Sequence, residues 1–252
     1  MIAPDLTASL ADHLLALADD ELVLAHRNSE WAGHAPILEE DIAFANIALD
    51  EMGHAAVWYG LRGALTGEDA DWLVFFRDAG EYRNAQLVEL PRGDWAFSML
   101  RQYLFDAAES VRLAHLAASA HQPVAEAAAK IATEERYHLR HTSLWLRRLG
   151  LGTAESHTRL QAALDALWPY AAQLFAPLPG DPALVDAEII PDPALLRREW
   201  EGSVRPFLAE CGLAVPDGTP RRTIPRVEHT EHLMALLAEM QSVARMDPTA
   251  QW

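Results

Sequence analysis

Residues 37–63, ILEEDIAFANIALDEMGHAAVWYGLRG, and residues 134–150, EERYHLRHTSLWLRRLG, decide the fold. Both repeat apolar side chains every three or four residues, the period of an α-helix with one buried face. In the first stretch Ile47, Glu51, His54, Ala55 and Trp58 share a face. In the second, Glu135 and His138 fall in line with Ile131, Thr142 and Trp145. An acid on the buried stripe of a helix is costly unless something meets it there. Glu51-Met52-Gly53-His54 and Glu135-Arg136-Tyr137-His138 each set a carboxylate and an imidazole three residues apart, on one side of their helix.

Working outward, each stretch forms the second half of a helix pair. A first helix is expected over 6–31, with Leu10, Leu14, Leu17 and Leu24 as its stripe and Gly33 as a stop. Pro36 opens the second helix and Gly63 or Gly67 ends it. A third runs over 95–119 and a fourth from Pro123 to about 149, closed by Gly150 and Gly152. Between the pairs, residues 65–94 are too long for a hairpin loop and suit a crossover along a bundle, with short helical pieces inside it. A fifth helix over 155–174, a proline-rich arm at 176–193, a sixth helix over 193–211, a loop with Pro216, Pro220 and Pro225, and a last helix over 228–244 complete the chain. The expected class is all-α: one domain over 1–252, with a core bundle at about 6–149 and a helical extension at about 153–252.

Composition narrows the functions. In 252 residues, half hydrophobic, there is ample material for one buried core. A net charge of −17 repels a phosphate backbone, so nucleic acid is not an expected partner. The single cysteine, Cys211, can make neither an internal disulfide nor a cysteine-ligated metal site, which suits a reducing compartment. No uncharged apolar run approaches the roughly 18 residues of a membrane span, and the first residues carry no targeting pattern. The expectation is a cytoplasmic protein without membrane contact.

The two helix pairs correspond. Asp20 precedes Glu51 by 31 residues and Asp106 precedes Glu135 by 29. A carboxylate and a Glu-x-x-His from each pair is the donor set that ferritin-like bundles use to hold two iron or manganese ions. The candidate ligands are therefore Asp20, Glu51, His54, Asp106, Glu135 and His138. Two choices stay open, since Glu21 competes with Asp20 on the first stripe and Glu109 with Asp106 on the third. Counted from the turns, Asp106 and Glu135 stand level, whereas Asp20 and Glu51 are offset by about 4.5 Å. The competing structural reading is a buried hydrogen-bonded network with no ion. Glu228-His229-Thr230-Glu231-His232 looks metal-like but opens a helix, where capping is the expected role. His141 is read as a surface or interface residue, Cys211 as core, Trp252 as an interface anchor, and Arg140, Arg147 and Arg148 as weak candidates for phosphate contact.

The segments SEWAGHAPILEEDIAFANIALDEMGHA, RQYLFDA, EERYHLRHTSLWLRRLG and HTEHLMALLAEMQ, with the closing QW, resemble the C subunits of the bacterial phenylacetyl-coenzyme A epoxidases. That resemblance implies a ferritin-like helical protein that pairs with a homologous catalytic A subunit within a larger oxygenase. It also implies that the di-iron site lies in the A subunit, that a flavin and iron–sulfur reductase supplies electrons from NADPH, and that the C subunit is structural. The six candidate ligands match the catalytic paralogue's pattern residue by residue, Asp20 being shorter than a first-helix glutamate. Their retention departs from a degenerate copy and leaves an alternative: the chain is itself an oxygen-activating di-iron or manganese protein.

Overall fold

The computed structural model describes residues 4–217 and 224–250, and among these every regular element is helical. Four long helices form the bundle: α1 (Pro4–Ser29), α2 (Leu38–Thr66), α5 (Trp95–Leu116) and α6 (Gln122–Gly150), with α3 (Ala70–Phe75) and α4 (Gln86–Glu89) in the crossover. Then follow α7 (Ala154–Ala171), α8 (Asp181–Asp186), α9 (Pro193–Glu210), α10 (Glu231–Met240) and α11 (Ser242–Met246). α1 packs along α2 and α5 along α6; α7 and α9 cover α5, while α4 and α8 lie against α1. No helix of the described residues is long and apolar enough to cross a membrane.

Local chemistry sets the helix ends. Asp94 caps α5 by accepting the Phe97 N–H at 2.9 Å, and Thr153 caps α7 by accepting that of Ser156. Pro123 sits in the first turn of α6, where no N–H is missed. Gly67, at φ +77°, ends α2 with its N–H on the Gly63 carbonyl. The first helix closes at Ser29, two residues before the expected end. Gly33 turns the chain at φ +78°, its N–H held by the Asp41 carboxylate at 2.9 Å. The turn returns the chain so that α2 packs along α1.

Two aromatic clusters lock the layers. Trp95 of α5 meets Trp31, Phe44 and Trp145 edge-on at 4.9–5.4 Å, joining the end of α1 to α2, α5 and α6. Trp168 stacks on Trp200 at 5.5 Å and Phe175 leans on the same ring, which fastens the extension. Such pairs add about 0.5–1.5 kcal/mol each beyond the area they bury.

Three expectations change in detail. The fifth helix stops at Ala171 and tightens into a 3-10 turn over Ala172–Phe175. The proline-rich arm is ordered and contains α8. The last helix begins at Glu231 and breaks at Gln241, whose side-chain amide donates to the Val74 and Arg77 carbonyls at 3.0 and 2.9 Å. Pro220 and Trp252 lie outside the described residues.

Candidate metal centre

Five of the six predicted donors meet at the bundle axis. Glu51 and His54 reach in from α2, Asp106 from α5, and Glu135 and His138 from α6, each at most 3% exposed. The sixth position is a correction: α1 supplies Glu21, not Asp20. Residues 19, 20 and 21 are all buried acids, but successive helix positions turn by about 100°, so each faces a different element. Asp19 takes the Arg77 guanidinium at 3.0 Å and the Arg83 N–H at 2.8 Å. Asp20 accepts the Ala85 N–H and the Arg226 guanidinium, both at 2.6 Å. Both look toward the crossover, and only Glu21 faces the axis. On α5 the other open choice resolves as expected, since Glu109 pairs with Arg112 on its own helix while Asp106 turns inward.

The donors form two overlapping groups, Glu21, Glu51, His54 and Glu135, and Glu51, Asp106 and His138, each with ligand atoms within 4.8 Å of one another. His54 Nδ1 lies 3.3 Å from Glu135, 3.6 Å from Glu51 and 3.9 Å from Glu21. His138 Nδ1 lies 3.1 Å from Glu135 and 3.7 Å from Glu51. The rings stand 6.0 Å apart, both with Nδ1 inward.

Their outer nitrogens meet carboxylates that sequence reasoning missed. His54 Nε2 is 2.8 Å from Glu134 of α6, and His138 Nε2 is 3.1 Å from Asp50 of α2. The pairing is crosswise, each helix steadying the other's histidine, and it requires α2 and α6 to run antiparallel. A carboxylate on the outer nitrogen holds the proton there and turns the inner lone pair toward a metal. The available signal was an acid directly before the glutamate of each Glu-x-x-His. Gln102 completes the inner set, donating to Glu51 and Asp106 at 2.6 Å each while accepting from Asn28 at 2.7 Å. Thr142 donates to Asp106 at 2.7 Å.

Electrostatics shows how much charge is crowded here. Burial, then the charge of Glu51, holds the Glu21 carboxyl well above the usual range. Burial and Glu135 do the same to Asp106. Burial would raise Glu51 too, but the close approach of Glu21 and His54 and the charge of His138 outweigh it and bring it to about 2. Burial opposes charge on both imidazoles, yet the nearness of Glu135 leads the contacts that raise His138 to about 10 and His54 further. A metal loaded here would compete with protons for these groups.

Whether the residues fit an ion is answered by their unmet valences. Both oxygens of Glu21, Oε2 of Glu51, Oε2 of Glu135 and Nδ1 of His54 are buried with no hydrogen-bond partner among the described residues. Buried polar atoms are rarely left so, and a cluster of them facing one point is what a hard cation with oxygen and imidazole ligands satisfies. The fit is good.

The other candidates resolve elsewhere. Thr230 caps α10, and His229 lies 2.6 Å from Glu89, so 228–232 serves as a clasp. His141 meets Glu40 at 3.0 Å, Cys211 is buried, Arg147 pairs with Glu210, and Arg148 covers the Trp145 ring.

With this geometry in place, comparison with known proteins gives a consistent answer. The family described as phenylacetic acid catabolic protein matches residues 2–252. The chain belongs to that family. It is 42% identical to the C subunit of the 1,2-phenylacetyl-CoA epoxidase of Escherichia coli K12, over 96% of this chain and 99% of that one. It is 26% identical to the A subunit of the same enzyme, over 64% of this chain and 52% of that one. The similarity to the C subunit thus covers nearly the whole chain, and that to the A subunit only part of it.

Proposed function

We propose that this chain is the C-type subunit of a multicomponent monooxygenase that epoxidises the ring of phenylacetyl-coenzyme A, in partnership with a homologous catalytic A-type subunit plus the remaining members of the oxygenase. The observation that carries the reading is the 42% identity over 96% of the chain to the C subunit of the Escherichia coli epoxidase. We place the complex in the cytoplasm, where a coenzyme A thioester would be met. Co-expression with the cognate A-type protein and its reductase tests it. The two proteins should co-elute, and epoxide formation from phenylacetyl-coenzyme A should collapse when this chain is omitted. An A-type protein that stays separate and turns over fully alone would overturn the reading.

A second reading is favoured by the orphaned donors at the axis: the chain holds its own carboxylate-bridged iron or manganese pair. Glu21, Glu51, His54 and Glu135 would hold one ion and Glu51, Asp106 and His138 the other, with Glu51 common to both. Such a pair, when bound and reduced, supplies the electrons with which dioxygen is activated. The chain's own groups have defined tasks. Gln102 holds Glu51 and Asp106 in place through its amide hydrogens. Asp50 and Glu134 keep the Nδ1 atoms turned inward. The buried walls of Leu17, Leu24, Trp58 and Phe105 belong to the core that keeps bulk water from the axis.

A further inference from the structure

Between α1, α2, α3 and α10 lies a pocket of about 250 Å³. Leu22 and Ala55 form its buried floor, Phe75 and Met240 stand half-buried at its walls, and Ala56 and Asp71 lie exposed at its mouth. Leu22 and Ala55 follow the donors Glu21 and His54 in sequence but are turned from them by about 100° around their helices, so the pocket lies outside the donor cluster. Ala55, Ala56 and Ala70 bring only a methyl each to the lining, which leaves the space open. Tyr59 also lines it, but its hydroxyl donates to Asp19 at 2.5 Å and so is already engaged. One lining residue keeps an unmet valence: His26 Nδ1 is buried with no hydrogen-bond partner among the other described residues.

We propose that this pocket binds a small neutral aromatic alcohol, a phenol-sized ring whose hydroxyl meets His26 Nδ1. Size, shape and charge each narrow the occupant. An apolar cavity of about 150 Å³ already takes benzene, so this one has room for a substituted ring. Phe75 and the thioether of Met240 are partners that favour a flat aromatic body over an aliphatic one. Apart from His26, Tyr59 and Asp71, the described lining is apolar, so the ligand has one polar atom to satisfy. Burial lowers the His26 pKa, and the ring is uncharged at neutral pH. A hydroxyl both donates and accepts, so it suits a neutral imidazole nitrogen in either tautomer, which an ether does not. A carboxylate of the same size is excluded: Asp71 lies at the mouth, the charges of Glu239 and Glu30 reach His26, and no lysine or arginine is among the described lining residues. Arg27, whose charge also reaches His26, is held by Glu30 at 2.7 Å and by the Glu89 carbonyl. The site stands independently of the proposed function.

The test titrates the full chain at neutral pH with para-fluorophenol, fluorobenzene and para-fluorobenzoate, read by fluorine NMR. The phenol should bind saturably and more tightly than fluorobenzene, and the benzoate should not bind. Ala56→Phe, and separately Ala70→Leu, fill the pocket and should weaken both neutral probes at least tenfold. His26→Leu keeps the apolar wall but removes the nitrogen. It should weaken the phenol about fivefold, the worth of one ordinary hydrogen bond, and leave fluorobenzene within twofold. Helical circular dichroism of all three variants should match wild type. The inference is overturned if wild type shows no saturable phenol binding, if the two filling variants bind it as wild type does, if the benzoate binds as tightly, or if His26→Leu leaves the preference for the hydroxyl unchanged. Wild type that binds no phenol, together with an Ala56→Phe chain that no longer co-elutes with a cognate oxygenase subunit, would overturn it in favour of a partner's side chain as the occupant.

Discussion

Asp20 and Glu21 are neighbours with opposite duties, and substituting them one at a time should give opposite results. Asp20→Ala removes the carboxylate that meets Arg226 at 2.6 Å and strands the Ala85 N–H. Both side chains of that ion pair are at most 5% exposed, so water cannot replace the lost partner. Breaking a buried pair by deleting one member costs about 3–5 kcal/mol. For a chain of this size that lowers the melting temperature by about 6–20 °C. Glu21→Gln should do the reverse in metal-free protein. The Glu21 carboxyl already sits among Glu51, Glu135 and His54 with its pKa forced upward, and an amide of the same shape removes a charge the site resists. Stability without metal should stay within about 1 kcal/mol of wild type, while iron or manganese binding is lost. Thermal melts by circular dichroism with and without added Mn(II) read both effects. If Asp20→Ala melts within about 2 °C of wild type, or if Glu21→Gln keeps full metal-induced stabilisation, the assignment of the two residues is wrong.

Further expectations follow from other parts of the fold. Trp95→Ala removes three edge contacts that join four helices and should cost about 3–5 kcal/mol in urea unfolding, and a loss under about 1 kcal/mol would contradict the aromatic lock. Cys211 is buried, and burial pushes its thiol up to about 11, so iodoacetamide at pH 8 should label native protein far more slowly than unfolded protein. Burial would raise the Asp181 carboxyl, but the His13 hydrogen bond at 3.0 Å leads the contacts that hold it below the ordinary 3.8. Its contribution is therefore present above about pH 4 and lost as the pH falls through the depressed value. His13→Gln should flatten that acid limb in melts between about pH 4 and about pH 2, and an unchanged limb would remove the pair from the account.

Much of the bundle was legible because each long helix carries its own signature. The leucines of α1 and the alternation of Ile47, Glu51, His54 and Trp58 on α2 depend only on the helical period, and the opening proline of α6, Pro123, is a local signal. The two Glu-x-x-His units were legible for the same reason: a charged residue on an apolar stripe announces a partner. The choice at α1 was not legible. Asp19, Asp20 and Glu21 are equally acidic and equally buried, and what separates them is Arg77 and Arg226, the latter 206 residues away in sequence. Counting levels from the turn does not help, since Glu21 stands about 6 Å from the level of Glu51, farther than Asp20. Asp50 and Glu134 escaped notice since each serves a histidine on the opposite helix, which only the antiparallel register reveals. The break at Gln241 was hidden likewise, as it depends on carbonyls of α3 and the turn after it.

The central claim, that the axial donors hold a pair of ions, is tested most directly by elemental analysis of protein purified without chelator, wild type beside Glu135→Ala with His138→Ala. The account predicts about two equivalents of iron or manganese per chain in wild type and loss of both in the variant. Metal-free wild type that also takes up none from added Fe(II) or Mn(II) would contradict it, leaving a helical partner whose chemistry resides elsewhere in the complex.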